Sequence, residues 1–156
     1  MQIDRLDAAL IRLLVDTPRI GVVECSRRLA VARGTVQARL DRLREGGVIR
    51  GFGPDVDPAT LGFPVTAFMT LEIRQGQGRD VRKHLECVPQ VLEVHTITGR
   101  GDLLCRIVAR SNAHLQQVIE GIVELDAVVR ASTTIATENP VPYRVLPLVE
   151  CAVTEG

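Results

Sequence analysis

A strand–helix–strand pattern occurs twice in succession between residues 65 and 137, and no other feature of the chain restricts its fold as strongly. Phe63–Ile73 alternates, with Val65, Ala67, Met69, Leu71 and Ile73 on one side and Thr66, Phe68, Thr70 and Glu72 on the other. Such period-two alternation predicts a half-buried strand. Gln75-Gly76-Gln77-Gly78 breaks it, and Val81, Leu85 and Val88 then follow at helical spacing. Val91–Thr98 reads as a second strand. The pattern restarts at 103–110, where Leu103, Cys105, Ile107 and Ala109 face one way. Ser111 is placed to cap a helix with the stripe Leu115, Val118, Ile119, Ile122 and Val123. Val128–Thr137 is the last strand. The helix exits correspond, residues 88–92 matching 125–129. A βαββαβ order predicts a ferredoxin-like plate with both helices on one face. Thr66, Phe68, Thr70, Leu104 and Val108 would lie on the other face. A half-apolar bare sheet predicts a two-fold dimer interface.

The first third has a different period. Leu6, Ala9, Leu10, Leu13 and Leu14 form one apolar stripe on a helix over residues 4–16. Asp4 and Asp7 sit at its start, where the helix dipole favours anions. Thr17-Pro18 ends it. A second helix is expected over Val22–Leu29 and a third over Arg33–Glu45, stopped by Gly46-Gly47. Residues 48–52 look like a strand that turns at Pro54-Asp55 and returns through Val56. Helix, short helix, basic helix and hairpin, in that order, predict a winged helix-turn-helix. The connector 59–65, with Gly62 and Pro64, is a natural domain boundary.

Formal net charge is zero, but it is unevenly spread. Residues 1–50 hold ten arginines against six acids, and residues 51–156 hold nine basic residues against thirteen acids. A basic segment joined to an acidic one suggests two tasks, the first with a polyanion. On the third helix, Val36, Leu40 and Leu43 point inward, leaving Gly34, Ala38, Asp41 and Arg42 outward with Thr35 and Gln37 on the flanks. DNA reading needs short or fork-shaped side chains at base edges. Gln37 suits adenine, while Ala38 or the Thr35 methyl suits a thymine methyl. Arg33 suits guanine or phosphate. Arg27, Arg28, Arg39, Arg42 and Arg44 are candidates for phosphate contacts. A solvated amphipathic helix has the same pattern, and the residues alone leave both readings open.

Other classes have little support. No eighteen-residue apolar run suggests a membrane span. Met1–Arg5 has no signal-like apolar region, so a reduced cytosolic protein is expected. Cys25, Cys87, Cys105 and Cys151 are scattered, with no CxxC pair, which argues against a zinc ribbon, a thioredoxin-like motif or a secreted disulfide scaffold. One lysine, Lys83, against eighteen arginines is read as coding bias. His84, His95 and His114 form no recognisable catalytic string. The turn Thr98-Gly99-Arg100-Gly101-Asp102 stands apart, because two glycines let backbone approach a ligand closely. Free amides could hold a carboxylate and Asp102 an ammonium group, as an amino acid would require. An ordinary hairpin turn has the same sequence.

Taken together, these strings resemble the Lrp/AsnC (leucine-responsive and asparagine-responsive, feast/famine) bacterial transcription regulators over nearly the whole chain. The opening Ile3-Asp4-Arg5-Leu6-Asp7-Ala8-Ala9-Leu10-Ile11 is similar to the family's first helix, and Arg19 matches the arginine after it. Val36, Arg39, Leu40, Leu43, Gly47, Val48 and Ile49 match the recognition-helix string. Asp57-Pro58-Ala59-Thr60-Leu61-Gly62 and Gly99-Arg100-Gly101-Asp102-Leu103 match two later motifs. The resemblance implies an α+β chain. A winged helix-turn-helix (residues 1–52) and a hairpin or linker (53–64) would precede a ferredoxin-like, RAM/ACT-like effector-binding and dimerisation domain (65–156).

It also implies a cytoplasmic, nucleoid-associated regulator of double-stranded DNA, without a cofactor. Homodimers, often octamers, would bind an amino-acid effector at Gly99, Arg100, Gly101, Asp102 and Leu103, with Thr133 and Thr134 lining the site. Three features depart from the family. Ala30-Val31-Ala32 replaces a Gly-Leu-Ser turn, Cys25-Ser26 replaces a Leu-Ala pair, and Gly34 lies early in the recognition helix. Two alternatives remain: a siroheme-decarboxylase-like enzyme, since some resemble this family, and an effector module without DNA binding.

Overall fold

The computed structural model describes residues 2–154. The chain divides into two compact units. The first is the chain up to Pro54 together with the segment from Val141 onward, and the second is Asp55–Pro140.

The first unit is built on α1 (Arg5–Asp16), α2 (Val22–Leu29) and α3 (Arg33–Glu45). Asp4 caps α1 in a reciprocal box: its side chain accepts the Asp7 amide, and the Asp7 side chain accepts the Asp4 amide. This satisfies two of the amides that a helix start leaves without partners. α2 has eight residues, and isolated helices shorter than about twelve are marginal in water. Packing therefore holds it. Cys25 joins Leu10, Ile11, Val36 and Leu43 in one buried cluster. Each fully buried leucine there contributes about 2 kcal/mol.

Two expectations are corrected here. Residues 48–57 form no strand, so the expected hairpin is absent among the described residues. Gly51, Gly53 and Pro54 lie in the segment, and an isolated two-stranded ribbon is marginal without a packed face. The expected 65–156 domain also ends early. The tail forms α6 (Leu146–Thr154), whose Leu146 and Val149 pack into the first unit's cluster, and Arg12 of α1 pairs with Glu150. An apolar tail joins whichever core is available to it, and sequence order does not specify which.

The second unit contains β1 (Val65–Ile73), α4 (Gly78–Glu86), β2 (Val91–Thr96), β3 (Leu103–Ala109), α5 (Asn112–Val123) and β4 (Val128–Ala136). Ser111 caps α5, its side chain accepting the His114 amide. The sheet is antiparallel with order β2-β3-β1-β4. Ala67, Met69 and Leu71 of β1 and Leu103, Cys105 and Ile107 of β3 are buried with Val81 and Leu85 of α4 and Leu115, Val118 and Ile122 of α5. Both helices therefore cover one face, as the double pattern predicts. On the other face Phe68 stays 41% exposed, and no element of the unit packs over it.

Candidate nucleic-acid interface and effector cavity

α3 is anchored by Val36 and Leu43, which are buried, and by half-buried Leu40. Arg33, Thr35, Gln37 and Ala38 are exposed, as the helical period predicts. Arg33, Gln37, Asp41 and Arg44 recur at intervals of four and three, so they share one stripe. Gln37 Nε2 donates to Asp41 Oδ1 at 2.9 Å, which occupies the amide expected to read adenine. Among the described residues, Arg33 and Arg44 make no ion pair, so their guanidinium groups are available to phosphate.

The other expected arginines divide into two groups. Arg39 and Arg42 are paired with acids at the start of the first helix. Arg39 Nη1 donates to Asp7 Oδ1 at 2.9 Å and to Asp4 Oδ2 at 2.6 Å, and Arg42 also donates to Asp7. Asp7 is fully buried, and a buried carboxylate requires cations. Arg39 and the Asp7 amide hold the Asp4 carboxyl below its ordinary value, and the two acids raise Arg39. Helical spacing gave Arg42 an outward position but contained no information about the acid waiting on α1. Arg27 and Arg28 are both engaged by Glu24, at 2.7 and 2.8 Å, and these pairs push Glu24 down to about 2. They remain exposed enough to exchange this partner for phosphate.

Ala30 adopts the left-handed region at φ 54 to close α2, and Ala32 precedes α3 as its N-cap without a side-chain hydrogen bond. Both observations fall within the Ala30-Val31-Ala32 departure. Cys25 is a core residue, and burial raises its thiol.

In the second unit, Thr70 and Glu72 of β1, Arg130 and Ser132 of β4, and Arg100 of the glycine turn line a cavity of about 490 Å³. Thr70 lies opposite Ser132 and Glu72 opposite Arg130. Glu72 Oε1 and Arg130 Nη1 are 4.0 Å apart. Gly101 makes the close approach possible. Its φ is +88, and a Cβ there would lie 2.3 Å from Thr70 Cγ2. Asp102 fastens the turn to β1: its amide donates to Leu71 O at 2.8 Å, and its Oδ2 accepts the Ile73 amide at 2.8 Å.

The expected effector set therefore separates. Of Gly99, Arg100, Gly101, Asp102, Leu103, Thr133 and Thr134, Arg100 alone lines the cavity. One Asp102 oxygen is committed to backbone rather than left for an ammonium group. Leu103 is buried in the core. Thr133 pairs with Met69 on the helix-covered side, whereas Thr134 pairs with Phe68 on the open face. Successive strand residues point to opposite faces, so the two threonines cannot line one site together. The other lining residues, Thr70, Glu72, Arg130 and Ser132, lie outside the expected set. Alternation assigned Thr70 and Glu72 a face, but only the β1–β4 register shows their neighbours.

The histidines do not gather. His84 Nε2 bonds Gly121 O at 2.9 Å, His95 pairs with Glu93, and His114 Nδ1 accepts the Arg110 amide. A tetrapyrrole-type centre built on them has no geometry here. Among the described residues, no three His, Cys, Asp or Glu side chains form a metal cluster, and no helix is long and apolar enough to cross a membrane.

Comparison with known proteins gives two family matches. Residues 66–146 match the Lrp/AsnC ligand binding domain, and residues 3–50 match a winged helix-turn-helix DNA-binding domain. An uncharacterised HTH-type transcriptional regulator of Pyrococcus abyssi is 31% identical over 138 residues, covering 88% of this chain and 87% of its own. The structure of Escherichia coli AsnC superposes with a TM-score of 0.86 at 26% identity, over 94% of this chain and 100% of that one. A Mycobacterium tuberculosis feast or famine regulatory protein complexed with L-methionine shares the fold. Its TM-score is 0.80 at 24% identity, over 90% of this chain and 96% of that one.

Proposed function

The chain belongs to the Lrp/AsnC family of DNA-binding transcriptional regulators, and from that premise we propose that a small effector, an amino acid, tunes its hold on DNA. The observation that carries the reading is the exposed stripe of α3. Arg33, Thr35, Gln37 and Ala38 face outward while Arg39 and Arg42 fix the helix to Asp7. A helix held by its own basic residues can present a few side chains to the major groove in a defined orientation.

The polypeptide acts as a homodimer through the open sheet face, and dimers assemble further, up to octamers. Phe68 and Leu104 on that face, and the buried Arg106 Nε without a partner among the described residues, support this. A relative complexed with L-methionine supports the effector class. Effector binding shifts the population of assemblies and so the spacing of half-sites engaged. The place of action is the cytoplasm, on chromosomal DNA.

The test is fluorescence anisotropy of a duplex from the gene's own upstream region, at two salt concentrations, with and without an amino-acid panel. Binding that weakens with salt and shifts with an amino acid is expected. Absence of binding at low salt overturns the reading.

A further inference from the structure

We propose that the cavity between β1, β4 and the glycine turn takes an amino acid with a second carboxylate, of the aspartate or glutamate class. The inference rests on the effector reading above and names its ligand.

The lining carries the argument. Its five side chains are Thr70, Glu72, Arg100, Arg130 and Ser132, and none is apolar. Two guanidinium groups face one carboxylate, so the site holds a net charge of one positive unit. A zwitterionic aliphatic amino acid carries no net charge. It would leave one guanidinium without an anion and set an alkyl chain beside three charged and two hydroxyl-bearing side chains. A dicarboxylic amino acid carries one net negative charge and balances the site. Its ammonium suits Glu72, its two carboxylates suit the forks of Arg100 and Arg130, and Thr70 and Ser132 can donate to the remaining oxygens.

In the single chain these groups are open to receive it, at the Glu72 end of the sheet face that also carries Phe68. Glu72 and Arg130 sit at the outer limit of an ion pair, at 4.0 Å, and their side chains are 46% and 73% exposed. An exposed pair of this kind contributes at most about 1 kcal/mol, so a ligand can separate it cheaply. Arg100 makes no ion pair among the described residues. Asp102, the acid in the turn, accepts the Ile73 amide through Oδ2 and does not line the cavity. One relative is complexed with L-methionine, whose side chain is apolar, whereas the lining here carries three charged side chains.

The experiment is isothermal titration of the full chain with L-glutamate, L-aspartate, glutarate, L-leucine and L-methionine, alongside DNA anisotropy with each. Glutamate or aspartate is expected to bind most tightly. Arg100→Gln and Arg130→Gln should each weaken that binding by at least about tenfold, since a hydrogen bond to a charged group is lost. Glu72→Gln should weaken the amino acids but spare glutarate, which lacks the ammonium group. Thermal melts followed by circular dichroism confirm that each variant is folded.

Tighter binding of leucine or methionine overturns the proposal. So does unchanged glutamate binding by folded Arg100→Gln/Arg130→Gln. If an aliphatic amino acid binds and shifts DNA affinity, this ligand assignment fails and the effector reading stands. If glutamate binds without moving DNA affinity, the ligand assignment stands and the regulatory reading fails. If no amino acid binds, both fail.

Discussion

Arg39 of α3 donates from Nη1 to the fully buried Oδ1 of Asp7 on α1, 2.9 Å away and thirty-two residues earlier in sequence. This ties the DNA-facing helix to the first helix through a charge that cannot be left alone. Asp7→Ala should cost about 2 kcal/mol, because it removes the buried acceptor of Arg39 and Arg42 and one half of the α1 capping box. Arg39→Ala should be similarly costly, leaving Asp7 to Arg42 alone. Arg33→Ala should leave stability within about 0.5 kcal/mol but make the salt slope of DNA binding shallower by about one. Urea denaturation and salt-titrated anisotropy separate the two classes. Equal stability loss at both arginines would contradict this division of roles.

Glu24 lies between Arg27 and Arg28, and these cations lower its pKa from 4.5 to about 2. Its folded value is below its unfolded one. Its contribution is therefore complete above about pH 4.5 and is lost as pH falls toward 2. Glu24→Gln should flatten the stability curve in that window. At neutral pH it frees both arginines, so DNA binding should tighten and the salt slope should steepen by up to about two. Unchanged affinity and slope would place Arg27 and Arg28 away from the phosphates.

Periodicity recovered what depends on local pattern. The α2 and α3 spans, the Ser111 cap and the two-fold strand–helix–strand order all follow from side-chain spacing along one segment. It did not recover what depends on contact between distant segments. Arg42 is outward on its own helix, yet Asp7 captures it. Alternation alone sends Thr133 and Thr134 to opposite faces, but only the β1–β4 register shows that Thr133 meets Met69 and Thr134 meets Phe68. The tail is visibly apolar, but which core it joins is settled by packing of Val149 and Leu146. The family motif located the turn at Gly99–Leu103. It did not show that Asp102 and Leu103 serve the turn's own anchoring while Glu72 and Arg130 face the cavity.

Gly101 and Gly99 both lie at positive φ, but only one is crowded. A Cβ at Gly101 meets Thr70 Cγ2 at 2.3 Å and Leu71 O at 3.1 Å, whereas one at Gly99 meets nothing within 4 Å. Gly99→Ala should cost about 1 kcal/mol from backbone strain alone. Gly101→Ala should cost about 2–4 kcal/mol, strain plus displaced packing. It should also disturb the cavity wall at Thr70. Equal losses in thermal melts would mean that the turn relaxes away from β1.

Ala32, the cap residue before α3, has extended backbone, φ −63 and ψ 147, and no side chain there accepts the helix's first amides. A serine hydroxyl at that position can do so, which typically adds about 1 kcal/mol. Ala32→Ser should raise the urea midpoint with an unchanged denaturant slope. A lower midpoint would show that the turn from Ala30 cannot accommodate the cap.

The open sheet face provides the test of assembly. Phe68 projects from the central strand β1 opposite Arg106 on β3 and Thr134 on β4, 41% exposed in the single chain. Beside it, Arg106 Nε is buried without a hydrogen-bond partner among the described residues. An aromatic side chain left half-open and an unsatisfied buried donor are both costly in a monomer, and both are relieved if a second sheet closes over them. Placing a further cation beside Arg106 on that face should prevent closure, because a second like charge from each chain would add to the arginines in a desolvated layer. Phe68→Lys should therefore shift the native mass toward the monomer in light scattering, with helix content unchanged by circular dichroism. Because paired half-sites need paired recognition helices, its DNA affinity should fall although no residue of α3 has changed. A Phe68→Lys chain that remains dimeric would place the dimer contact elsewhere. A monomer that keeps full DNA affinity would mean that each recognition helix binds its half-site independently.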